Sequence, residues 1–158
     1  MIGGFQVNGL LSASNGLPQT ITQNLSNLIL ANQRPDVIDP SNLSGRVPEP
    51  VAEGSSRQWL IRPGQTGFPF VRSGPTSVGT LGRNTTREPG FWNTNLSIFR
   101  SFAFAESTGI QLRFEAFNAL NHVNYRELAS TNIDNVNYGL ITAAAPARQI
   151  QIGTRLYF

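Results

Sequence analysis

Strict two-residue alternation of apolar and polar side chains governs three segments of this chain and leaves it few folds to choose from. In FWNTNLSIFRSFAF, residues 91–104, Trp92, Thr94, Leu96, Ile98, Phe102 and Phe104 fall on one side, and Asn93, Asn95, Ser97 and Ser101 on the other. The segment GIQLRFEAFNAL sets Ile110, Leu112, Phe114 and Ala116 against Gln111, Arg113 and Glu115. The closing RQIQIGTRLYF sets Ile150, Ile152, Thr154, Leu156 and Phe158 against Gln149, Gln151, Gly153, Arg155 and Tyr157. A helix places neighbours every 3.6 residues, so a period of two predicts strands: a hairpin turning at Glu106 to Gly109, and a terminal strand. Phe99 and Arg100 depart from the pattern. Strict phase puts Arg100 on the apolar side, so it is expected near the end of its strand or beside a bulge.

A fourth alternating run, GFQVNGLLSA, opens the chain, with Phe5, Val7, Leu11 and Ala13 on one side and Leu10 out of phase. Asn15-Gly16 is a tight-turn signal, and Gln19 to Gln23 reads as a short polar returning strand. From residue 24 to 90 the chain carries Pro35, Pro40, Pro48, Pro50, Pro63, Pro69, Pro75 and Pro89, which break any long helix or central strand. A short helix at Pro40 to Leu43 or near Arg57 to Ile61 is compatible with this spacing. The expected layout is therefore all-β: a strand hairpin at 1–23, a long irregular loop at 24–90, a β-hairpin at 91–119, a loop at 120–147 and a terminal strand at 148–158.

Composition narrows the function. The chain has no Cys, so no disulfide framework and no thiolate nucleophile, and its lone histidine, His122, cannot build a two-histidine metal site. A hydrolase needs a nucleophile and base that one histidine and scattered acids do not assemble, so no catalytic residue, metal ligand or cofactor site is expected. His122, amid Asn118, Asn121 and Asn124, reads as a turn residue. The net charge of +3 comes from twelve arginines spread from Arg34 to Arg155. A nucleic-acid surface would cluster them, so no nucleic acid is expected as a partner. No apolar run approaches the length of a membrane helix, and MIGGFQVNGLL carries no basic n-region of a signal peptide.

Two-faced strands suit either a soluble sandwich, with the apolar face in its core, or an outer-membrane barrel, with that face on lipid. Length favours the barrel. A run of about ten residues, tilted by about 45°, spans roughly 23 Å, close to the apolar band of about 25 Å in such barrels. Amides, hydroxyls and arginines on the polar face suit a wet lumen, and Phe91, Trp92, Phe102, Phe104, Tyr157 and Phe158 sit where interfacial girdles fall. The alternative is a soluble secreted β-sandwich that binds carbohydrate or a protein partner.

The stretches GTLGRNTTREPGFWNTNLSIFRSFAF, GIQLRFEAFNALNHVNY and NYGLITAAAPARQIQIGTRLYF, spanning residues 79–158, resemble the C-terminal end of TonB-dependent outer-membrane receptors. More narrowly, they resemble the Oar-like group that bears a carboxypeptidase-regulatory-like domain. The resemblance implies a transporter in the outer membrane of a Gram-negative-type bacterium, importing a scarce nutrient. Its implied partners are membrane lipid, the remainder of the barrel and its plug, the barrel-assembly machinery, and the TonB complex reached through an N-terminal part outside this chain. The terminal Ile150, Ile152, Leu156 and Phe158 are similar to the signal by which the assembly machinery recognises its clients. Five or six strands are fewer than the eight of the smallest closed barrels, so the chain is expected to be a C-terminal fragment of an incomplete barrel.

The residue 24–90 loop is then expected outside the cell, where loops held on a rigid barrel carry recognition. Trp59, Phe68, Phe70 and Arg72 are its candidate ligand contacts; the other reading is that these aromatics pin the loop to the rim. Arg113 and Glu115 are a candidate lumen charge pair, or a solvated one.

Overall fold

The computed structural model describes residues 4–24 and 33–158. In chain order the strands are β1 (Phe5–Ser14), β2 (Pro18–Gln19), β3 (Asp36–Val37), β4 (Arg46–Glu53), β5 (Ser56–Leu60) and β6 (Phe70–Val71). They continue with β7 (Thr86–Arg87), β8 (Phe91–Ala103), β9 (Gly109–Phe117), β10 (Leu140–Ile141) and β11 (Gln149–Tyr157). The described residues divide into two compact units: a sheet unit of residues 4–14, 91–124 and 145–158, and a loop unit of residues 15–24, 33–90 and 125–144.

The sheet unit is a four-stranded antiparallel sheet in the order β1-β8-β9-β11. Its register follows from the alternation, because slipping any strand by one residue would turn its apolar side chains to the polar face. Val7, Ile98, Phe114 and Ile152 form one apolar row across all four strands, and Asn8, Ser97, Glu115 and Gln151 form the neighbouring polar row. Both ladders of β8 are unbroken, so no bulge rescues Arg100: it stays on the apolar face, opposite Phe5 and Leu112, three residues from the end of its strand. A turn at residues 104–108 links β8 to β9, closed by Phe104 N–H to Thr108 O at 2.9 Å. The connections 15–90 and 118–148 both leave from the opposite end, where Ser14 pairs with Phe91 and Phe117 with Gln149. The outer edges of β1 and β11 have no neighbour among the described residues.

One expected pairing is replaced. The partner of β1 is β8 along its whole length, not residues 19–23, so no hairpin forms among the described residues 4–23. A ten-residue alternating strand finds in β8 a partner for its whole length, whereas the candidate return at Gln19–Gln23 has only five residues. Pro18–Gln19 pairs instead with Thr86–Arg87. Asn15-Gly16 marks a close crossing of two segments: a Cβ on Gly16 would overlap the Glu88 carbonyl, and Leu17 O accepts from Glu88 N at 3.0 Å.

The loop unit has its own apolar centre of Ile21, Trp59, Leu60, Phe70, Leu81, Leu128, Ile133, Tyr138 and Ile141. The strand β5 runs between β4 and β10. The ladder of β4 shifts register between Arg46 and Val51, where Pro48 and Pro50 withhold donors. Of the two candidate helical segments, Pro40–Asn42 forms a 3-10 turn, capped by Asp39, and 57–60 lies in β5. Buried polar atoms tie distant segments together: Gln23 Oε1 accepts from Ser73 N at 3.1 Å, and Trp59 Nε1 donates to Arg87 O at 2.8 Å. Within the stretch expected to be irregular, residues 25–32 lie outside the described residues, and residues 33–90 are thus part of a folded unit. Its apolar residues are spaced without period, and residues 125–144, far along the chain, complete its core.

Candidate functional site

The two faces of the four-stranded sheet are the largest chemically distinct surfaces of the sheet unit. On one side, Val7, Leu11, Leu96, Ile98, Leu112, Phe114, Ile150, Ile152 and Leu156 form a continuous apolar field, and all are exposed. Ile152 is 77% exposed and the terminal Phe158 99%. Four strands of about 30 Å at a spacing of about 4.8 Å make this field roughly 600 Å² in projection, at the upper limit of what a soluble monomer leaves open. Among the described residues no second sheet covers it, as a sandwich would require.

The other side is polar. Arg113 Nε donates to Gln111 Oε1 at 2.9 Å, Gln111 Nε2 donates to Ser101 Oγ at 3.2 Å, and the Arg113 guanidinium lies 5.0 Å from the centre of the Phe99 ring. Arg113 and Glu115, the candidate charge pair, are not among the described ion pairs; the guanidinium lies instead with Gln111 and Phe99.

Aromatic residues mark both ends of the apolar face. At the short-turn end stand Phe5 and Phe102, with Phe104 in the turn and Phe158 following β11. At the other end Trp92 stacks on His122, ring centres 4.2 Å apart and planes inclined by 29°. An asparagine cluster builds this rim. Asn118, at φ 50°, turns the chain out of β9; its Oδ1 accepts from His122 N at 2.9 Å, and its Nδ2 donates to His122 O at 2.8 Å. Asn95 Oδ1 accepts from Asn118 N, and Asn124 Oδ1 accepts from Trp92 N at 3.0 Å. Asparagine suits the left-handed turn because its side chain replaces the lost ladder partners.

The residues singled out from the sequence part into two groups. Ile150, Ile152 and Leu156 come together on the apolar side of β11, whose outer edge has no neighbour among the described residues, and Phe158 follows it. Trp59, Phe68 and Phe70 also come together, but inside the loop unit: Trp59 and Phe70 are buried, and Phe68 meets Phe70 and Tyr138 edge to face at 5.6 and 6.1 Å. Trp59 and Phe70 belong to the core of the loop unit, and Phe68 packs half-buried against it. Arg72 is exposed and ion-paired with Asp134. Arg100 and its two aromatic neighbours escaped the sequence reading as a cluster, since Phe5 and Arg100 are 95 positions apart and meet only once β1 pairs with β8. Among the described residues no group of His, Asp or Glu could hold a metal, and no helix is long and apolar enough to cross a membrane.

An antiparallel sheet of nine- to thirteen-residue strands, apolar on one face and polar on the other, with a short turn at one end and long connections at the other, has the geometry of an outer-membrane barrel wall. No curated protein and no solved structure matches the chain. The family model of the outer membrane beta barrel domain matches residues 1–151, and with the two-faced sheet it shows that the chain belongs to the outer membrane beta barrel domain family, whose apolar face associates with membrane lipid.

Proposed function

We propose that this chain is the C-terminal wall and loop layer of a TonB-dependent receptor of Oar-like type, which imports a nutrient across the outer membrane of a Gram-negative-type bacterium. One observation carries the reading: a four-stranded wall whose outer edges have no neighbour among the described residues, with its long connections at one end. Bilayers do not tolerate unpaired strand edges, and the smallest barrels close with eight strands, so further strands complete this wall. The resemblance of residues 79–158 to the receptors' C-terminal end adds the identity of the larger barrel, its plug and its coupling to TonB. In this reading β11, with Ile150, Ile152, Leu156 and Phe158 on one side and a free edge, is the segment that the barrel-assembly machinery pairs with before closure.

The native polypeptide provides the test. It should fractionate with the outer membrane, migrate faster unheated than boiled in detergent gels, and take up its nutrient only while the inner membrane is energised. Uptake that persists after protonophore treatment would refute TonB coupling. A detergent-free soluble monomer would refute the whole reading.

A further inference from the structure

We propose that Arg100 is the anchor of a phospholipid site, binding the headgroup phosphate of a lipid in the leaflet on the short-turn side. The proposal rests on the outer-membrane assignment and goes beyond it by naming one lipid position. Arg100 is the single charged side chain on the apolar face of the sheet among the described residues. Its guanidinium carbon lies 4.5 Å from the centre of the Phe5 ring and 4.6 Å from that of Phe102. It enters none of the described ion pairs or side-chain hydrogen bonds, and Glu106 in the following turn makes no ion pair with it. Two rings therefore fix a cation whose N–H groups have no side-chain or ion-pair acceptor among the described residues.

A bare arginine on the lipid face is costly at mid-membrane, and the cost fades toward the interface. Arg100 stands three residues inside the end of β8, roughly 7 Å below it once strand tilt is included, and its flexible stem carries the guanidinium toward headgroup level. Phosphate matches the planar fork of guanidinium donors. Beside it, Ile98, Leu112, Phe114 and Ile152 line a shallow apolar cleft on the same face, which fits an acyl chain descending from that headgroup. Charge complementarity at one end and an apolar trough at the other thus select a phospholipid over a free anion or an uncharged lipid.

Native mass spectrometry of the protein extracted from its outer membrane in mild detergent tests this. The wild type should retain a phospholipid. R100Q should lose it, with retention of added phosphatidylethanolamine down about tenfold, while R155Q on the polar face retains it as the wild type does. Diacylglycerol, which has the chains without the phosphate, should not be retained by either protein. If R100Q folds poorly, R100K decides: it keeps the charge without the fork, and retention should fall between the other two. Equal retention by wild type and R100Q or R100K, retention of diacylglycerol, or a wild type that carries no phospholipid would each overturn the proposal. Absence of the wild type from the membrane fraction would overturn the barrel assignment as well, at a step before any lipid is weighed.

Discussion

Asn118 holds His122 by both ends of its side-chain amide, accepting from the backbone N–H at 2.9 Å and donating to the backbone carbonyl at 2.8 Å. One side chain closes the turn that follows β9 and presents the His122 ring to Trp92. N118A removes both hydrogen bonds and leaves a Cβ residue at φ 50°, so it should cost about 3 kcal/mol; N118G relaxes the backbone and should cost about 1 kcal/mol less. Urea unfolding of the barrel in bilayers compares them. Equal losses would mean that the positive φ stores no strain.

The apolar field makes a sharper demand on two adjacent positions. Ile152 lies on the field and Gln151 on the polar face, both midway along β11. I152R should destabilise the folded barrel by about 2 to 4 kcal/mol, as an arginine near mid-membrane does, whereas Q151R should change it by less than about 1 kcal/mol. Folding titrations into phosphatidylcholine vesicles read both. A similar cost for the two variants would show that the faces are not sorted into lipid and water.

Those two faces are legible in the sequence because each strand writes its own orientation in adjacent residues. The pairing order is not: nothing local to Phe5–Ser14 distinguishes a partner at 19–23 from one at 91–103. The longer segment can pair with all ten residues of β1, which the five-residue one cannot. The loop unit was least legible. Its core draws on Ile21, Trp59, Phe70, Leu81 and Tyr138, a set with neither helical nor strand period, so the aromatics looked free to meet a ligand. In an exposed connection, an isolated Trp or Phe among prolines carries the same local signature whether it points in or out.

Phe70 separates those roles by experiment. It is buried against Phe68 and within reach of Gly45, where a Cβ would meet its ring. F70A should therefore lower loop-unit stability by about 3 to 5 kcal/mol, seen as earlier proteolysis of residues 33–90 in intact cells. A variant with wild-type protease resistance but lost nutrient uptake would restore Phe70 as a ligand contact.

Tyr138 gives the loop unit a pH signature. Its ring is wholly buried, its hydroxyl has no hydrogen-bond partner among the described residues, and desolvation pushes the phenol well above its ordinary pKa near 10. The folded chain thus holds this proton more tightly than the unfolded chain does. The stability it contributes is complete below pH 10 and is lost as pH rises above that value. Y138F has no proton to lose, so its stability advantage over the wild type should widen steadily above about pH 10. Near pH 7 the same change removes only an unpaired hydroxyl and should be neutral or stabilising by up to about 1 kcal/mol. Unfolding followed by the fluorescence of Trp59, in a background where Trp92 is replaced by Phe, measures both. A loss of more than about 1 kcal/mol for Y138F near pH 7 would reveal a partner for the hydroxyl, and parallel alkaline profiles would remove its proton from the loop unit's stability.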